Sequence, residues 1–464
     1  MSEFNAETLL GLSRTGTRLI SQIGGNTEVG GANENQDDYF VVSIGPESES
    51  ITILCVLDGH GREVGKLAAN AAKDALIAFF KENYVNLRDR PYETLVDAHE
   101  VAHSHIKEEF TRVLKERGFE VRETDSGYLL KRPKGTSKEG CVHGGSSCSI
   151  IALIGSKLYV ASVGDSSGII CTDKNILNQT QIQKIGDAAI DRGDDSMDVE
   201  GGAIRGRNPT AVAASNTDTL MITAEHSPES VSEYVRLREF LPSDDDANKP
   251  ALVVVYDSPT QDKTQCEPVF DLDAAGTPTV TNNGKYYKNV RREWASLVST
   301  PKTAIYKDAL AFTRSLGDLH LSAYGVTHLP EVYSIDLSTI FTGNQPQSMA
   351  GIRKGTRGVG VASGDVAQLL CIVLATDGVW DNWQYSDVQK FVMDSSCIQA
   401  VYEGSNGAKR VADSFMQRNA VYAHRNFGKD ADNATGIVCY VAADSNLFLP
   451  NNGTCTGAPT IKFP

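Results

Sequence analysis

A fold of the α+β class is predicted by three features of this 464-residue chain. Short apolar, β-branched runs recur at wide intervals, and two long stretches carry the 3.6-residue period of amphipathic helices. With 41% of its residues apolar, the chain can also bury at least one full core. Its length is about two to three domain lengths, although one elaborated α/β domain also absorbs it.

The strand-like runs are residues 51–57, 149–154, 158–163, 220–223, 251–256, 370–375 and 436–441. Val64, Leu67, Ala68, Ala71, Ala72, Ala75, Leu76, Phe79 and Phe80 make one broad helical face. Leu95, Ala98, Ala102, Ile106, Phe110 and Val113 make a second, beyond a polar connection containing Pro91, so an antiparallel helix pair is expected. A later pair is expected around 386–394 and 407–425. Three polar, Gly-rich stretches break the pattern: 115–145, 173–216 and 228–307. The last holds the acidic run Asp244–Asp246 and one strand-like segment, and loops of this length are commonly functional or unstructured. No internal repeat occurs, and a polar tail, 446–464, ends the chain.

Fifty-nine acids against 44 bases give a net charge of −15. Such a chain gains nothing from counterion release on a phosphate backbone, which argues against nucleic-acid binding; it suits carboxylate binding of divalent cations. The nine cysteines are scattered, and Cys55, Cys371 and Cys439 sit inside apolar runs, as free reduced thiols do. Neither CxxC nor CxxH spacing occurs, so a structural zinc site has no support here. The N-terminus lacks a secretory apolar core and a myristoylation signal, and no run of about 18 apolar residues is present. A cytoplasmic or nuclear location, with no membrane association, is therefore expected. The sequons at Asn178, Asn433 and Asn452 are short enough to arise by chance.

The most informative pattern is an apolar run that stops at aspartate. Residues 51–57 end at Asp58-Gly59, 370–376 at Asp377-Gly378, and 158–163 at Gly164-Asp165, while Asp432 precedes 436–441. Carboxylates at neighbouring strand ends can converge on one point, and oxygen-only ligation suits Mg²⁺ or Mn²⁺. A glycine after the aspartate removes a Cβ, so its own carbonyl can approach a cation. The bland reading is that Asp-Gly marks a turn.

At these residues the chain resembles the metal-dependent Ser/Thr protein phosphatases of the 2C class. The motifs run in family order: Asn35-Gln36-Asp37, Val56-Leu57-Asp58-Gly59-His60-Gly61, 158–166, 223–228, 310–318, 374–381 and Asp432-Asn433-Ala434-Thr435. The resemblance implies a four-layer α-β-β-α sandwich of two mainly antiparallel sheets flanked by helices. It implies a single catalytic domain over 18–445, between an extension 1–17 and the tail, with 228–307 as an enlarged flap. It also implies two Mg²⁺ or Mn²⁺ ions and a weaker third. Asp58 would bridge the two ions, the Gly59 carbonyl would add a ligand, Asp377 and Asp432 would hold the first ion, and Asp37 would serve the second. Asp165 would join Asp377 at the third. A water or hydroxide shared by the ions would attack phosphorus directly, with His60 protonating the leaving alkoxide. Phosphoprotein substrates and a monomeric state are expected.

Two departures stand out. Gln36 stands where many members carry a glutamate ligand, and Ala32 stands where an arginine often binds the substrate phosphate. Arg62 and Arg314 are the candidates to replace that arginine, with a structural role as the alternative for Arg314. The same departures motivate a second reading, a pseudophosphatase that binds without turnover. His99-Glu100-Val101-Ala102-His103 matches the zinc-protease HExxH pattern, but its histidines flank an apolar stripe and the longer metzincin pattern is missing. Trp380 and Trp383 are expected to pack beneath the site rather than stack on substrate.

Overall fold

Every residue of the strand Ile51–Leu57 is buried, as in a strand covered on both faces. Its alternate side chains serve two different cores. Leu54 and Val56 meet side chains of a second sheet, whereas Ile53, Cys55 and Leu57 meet helices. That division sets the architecture. In this computed structural model residues 7–12, 18–46, 49–191, 216–240, 252–342 and 369–442 are described.

One sheet runs Glu7–Leu12, Arg18–Glu28, Ala434–Ala442, Leu369–Ala375, Ser167–Thr172, Thr219–Met221. The other runs Ile182–Asp187, Glu331–Asp336, Lys157–Val163, Cys148–Ile154, Ile51–Leu57, Asp38–Ile44. Every pairing in both is antiparallel. Helices Gly65–Glu82 and Pro91–Glu116 cover the outer face of the second sheet. Helices Tyr385–Val392, Ser395–Tyr402 and Gly407–Phe427 cover the first. The expected four-layer sandwich is what forms. Pro91, expected in the connection between the first helices, instead opens the longer one, where its missing N–H has no helical partner to lose.

Two expectations need correction. Residues 115–145 carry a three-stranded meander, Phe119–Glu123, Leu129–Pro133 and Gly140–Cys141. The flap 228–307 holds more than one strand. It contains helix Val231–Glu239, hairpin Phe270–Leu272/Pro278–Val280, and strands Val253–Tyr256 and Ser296–Ser299, the latter pairing onward to Ala309–Leu310. A separate apolar cluster including Tyr256, Val269, Val298 and Phe312 supports it. Strands of two to five residues leave too short a period to read. Within the expected extension, Glu7–Leu12 is an edge strand. The acidic run Asp244–Asp246, Asn452, most of 173–216 and the tail 446–464 lie outside the described residues. Among the described residues no helix is long and apolar enough to cross a membrane, and the described cysteines are free and buried.

Candidate metal centre

Antiparallel pairing puts the end of one strand beside the start of its neighbour, and both sheets use this at the same edge of the sandwich. Asp38 pairs with Leu57, so Asp37 and Asp58 are adjacent. Ala375 pairs with Gly436, which brings Asp377 to the approach of Asp432. Gly378 makes that junction possible, because a Cβ there would lie 1.9 Å from the Asn433 carbonyl oxygen. Asp165 closes the group from the turn between Lys157–Val163 and Ser167–Thr172.

Carboxylate oxygens of Asp58, Asp165 and Asp377 lie within 4.8 Å of one another. Asp37 stands beside them, its Oδ2 accepting from Thr376 Oγ1 at 2.8 Å, and Thr376 Oγ1 in turn accepts from the Thr435 amide at 2.9 Å. Asp432 sits at the exposed rim, outside that trio. Burial first, and then mutual repulsion, pushes Asp58 and Asp377 well above the usual carboxylate range. Burial also carries Asp37 up to about 7. Among the described residues, buried oxygens of Asp37, Asp165 and Asp377 have no hydrogen-bond partner. Unpaired, crowded carboxylates are costly, and a hard divalent cation removes both costs. The donor set therefore fits Mg²⁺ or Mn²⁺.

Beside this cluster His60 Nε2 lies 2.7 Å from Asp318 Oδ2, and its ring meets Phe312 edge-on at 5.3 Å. Burial alone would depress the imidazole, but the Asp318 carboxylate overrides it and raises the pKa. Asp318 also accepts from Ser315 Oγ at 2.6 Å and holds a left-handed backbone, φ 44°. A non-glycine residue there is strained, which marks a position fixed by its surroundings. A cavity of about 280 Å³ opens next to the cluster, lined by Asp165, Asp377, Asp381, Lys288, Glu225 and Tyr385 among others.

Residues 43–188, which carry Asp58, His60 and Asp165, match the family model described as protein phosphatase 2C. Over those residues the chain resembles the protein phosphatase 2C family. The matched segment points to protein phosphatase activity, and the aspartate cluster is a donor set for Mg²⁺ or Mn²⁺. No curated protein matches it. Among solved structures it is similar to serine-threonine phosphatase 2C from Toxoplasma gondii, at 12% identity and TM-score 0.47, over 94% of this chain and 98% of that one. It is also similar to the Mycobacterium tuberculosis serine/threonine phosphatase PstP/Ppp, at 12% identity and TM-score 0.38, over 90% and 97%. A PstP catalytic domain in complex with two manganese ions matches at 12% identity and TM-score 0.37, over 91% and 99%.

Several expected residues sit differently than the motifs suggested. Arg314 is fully buried, and its guanidinium bonds to Asp187, Glu233, Glu331 and the Leu329 carbonyl. It is therefore closed to a substrate phosphate, and the structural alternative is the one realised. Arg62 is exposed beside His60. Gly59 is required by packing as well, since a Cβ there would lie 2.4 Å from the Gly65 oxygen and 2.6 Å from that of Gln36. The Gln36 amide donates to the Gly61 carbonyl at 3.1 Å. Asn433 is buried and ties Gln36, Val29 and Glu34 together. The HExxH histidines are engaged separately, His99 Nδ1 with Leu95 O at 2.8 Å and His103 with the Gly317 amide at 3.1 Å. Trp380 and Trp383 pack in the core with their indole N–H groups bonded.

Three functional candidates were missed. Asp381, pushed up to about 7 by burial, stands four residues after Asp377 across a helical turn, and that spacing was a usable signal. Asp318 closed a quoted motif without a role. Lys288 comes from the flap, where no motif pointed to it; burial depresses its pKa, but Asp165, Asp381, Glu293 and Asp377 raise it overall.

Proposed function

We propose that the chain hydrolyses phosphoserine and phosphothreonine esters in proteins by direct attack of water at a two-cation centre, with His60 as general acid. The reading is supported above all by aspartates from both sheets that converge with unpartnered oxygens beside a histidine held by a buried carboxylate. Asp58, Asp377 and Asp432 would hold one cation, and Asp58, Asp37 and the Gly59 carbonyl the other, with Asp165 beside Asp377 at a third. When bound, the cations lower the pKa of a shared water and neutralise phosphoryl oxygens. Asp318 raises the imidazole pKa, favouring its protonated form, and holds Nε2, which leaves Nδ1 to deliver the proton to the leaving alkoxide. Hydrolysis of p-nitrophenyl phosphate that appears with Mn²⁺ and stops with EDTA is the expected result. Folded protein with no metal-dependent turnover would favour the pseudophosphatase reading.

His60→Ala is expected to lower kcat on a phosphoserine peptide on the order of 10²-fold. It should cost far less on p-nitrophenyl phosphate, whose leaving group needs no proton. Equal losses on both substrates would remove His60 from the acid role.

With Ala32 in place of the usual arginine, and Arg314 buried, Lys288 and Arg62 remain to meet the substrate phosphate. Lys288→Ala is expected to raise the phosphopeptide KM about tenfold, the worth of one charged hydrogen bond. An unchanged KM, with Arg62→Ala raising it instead, would reassign the contact.

A further inference from the structure

The CxxC and CxxH spacings that argue for zinc are missing, yet folding assembles a sulfur–nitrogen donor set from distant segments. Cys141 ends the meander strand Gly140–Cys141, and His143 lies two residues on. His320 belongs to the turn Leu319–Ser322 that follows Asp318. The Cys141 sulfur and one nitrogen from each histidine lie within 4.8 Å of one another. Zinc–sulfur and zinc–nitrogen bonds of about 2.3 and 2.1 Å at a tetrahedral angle place two ligands of one ion about 3.5 Å apart, so the three donors would draw together by up to roughly an ångström on binding.

Two further observations point to a ligand. His320 is 2% exposed, and among the described residues its Nδ1 makes no hydrogen bond, standing 3.5 Å from Asp308 Oδ2. Asp308 also stands behind His143, its Oδ2 lying 2.7 Å from Nδ1, the carboxylate–imidazole arrangement that orients a metal-bound histidine. The Cys141 thiol, 6% exposed, approaches a Val142 carbonyl oxygen at 3.7 Å.

We infer that Cys141, His143 and His320 form a zinc site separate from the aspartate centre, with Asp308 supporting His143 and completing or flanking the fourth position. Soft sulfur with two imidazoles selects Zn²⁺ over the Mg²⁺ or Mn²⁺ of the oxygen site. The ion would clamp three segments: the meander, the flap's return at Asp308, and the turn bearing Asp318. Gly145, two residues past His143, pairs directly with His60, so the clamp lies behind the His60–Asp318 pair.

The test uses full-length Asp58→Asn protein, which disables the aspartate centre, so its result does not depend on the phosphatase reading. After dialysis against EDTA, elemental analysis should find one zinc per chain, lost in Asp58→Asn/Cys141→Ser and in Asp58→Asn/His143→Ala. Cobalt substitution should give visible bands with a near-ultraviolet thiolate charge-transfer band that Cys141→Ser abolishes. His143 is partly exposed, so its variant reads the site even if the cysteine variant fails to fold. Zinc-free protein showing no thiolate band on cobalt titration would overturn the site, as would zinc retained at full stoichiometry in both double variants.

Discussion

Asp58→Asn is expected to lower metal-dependent hydrolysis of a phosphopeptide on the order of 10³-fold, since the proposed cation centre would lose a ligand charge worth several kcal/mol of transition-state stabilisation. The same substitution should make the metal-free protein more stable. Asp58 is pushed up by burial first, then by Asp37, Asp377, Asp165 and Asp432, so removing its charge relieves four neighbours. The pH dependence follows from the direction of these shifts. Asp37, raised to about 7, holds its proton in the folded chain through a range where the unfolded chain has released it. Metal-free stability should therefore fall as pH rises from the unfolded carboxylate pKa of about 4, with Asp37's share of the fall complete by about 7. Saturating Mn²⁺ should reverse the fall. Melting temperatures measured with EDTA and with Mn²⁺ across that range test this. A metal-free melting temperature that is flat in pH, or lower in Asp58→Asn, would contradict the electrostatic account.

The aspartates were legible because each stands next to an apolar run, at the point where a strand stops or starts. Residues 51–57 and 370–375 are uninterrupted, and a buried strand announces itself that way. The flap was opaque for the opposite reason: its strands span only three or four residues. Distance along the chain hid the rest. Arg314 meets Glu233 and Asp187 across 81 and 127 positions, and His60 meets Asp318 across 258. Nothing local marks such partners. Asp381 differs, because its helical spacing from Asp377 was visible and went unused.

Arg314→Met is expected to destabilise the fold by roughly 3–5 kcal/mol, the cost of leaving buried carboxylates without their cation. Asp187 binds the guanidinium through both nitrogens at 2.8 and 3.0 Å, Glu233 through Nη2 at 2.5 Å, and Glu331 at 3.3 Å. Lysine cannot reproduce that fork, so Arg314→Lys should recover only part of the loss. Burial would raise Asp187 and Glu233, but the Arg314 contacts outweigh it and lower both. Their stabilisation is therefore present above the unfolded carboxylate pKa and lost as pH falls through the folded value, so the variant should show a shallower acid limb. Because Glu233 lies on the flap helix Val231–Glu239, the variant should also release the flap to limited proteolysis before the sheets unfold. Activity per folded molecule on p-nitrophenyl phosphate should change little, since Arg314 is sealed from solvent and substrate. An unchanged urea midpoint, or a large loss of kcat in fully folded protein, would return Arg314 to the list of phosphate ligands.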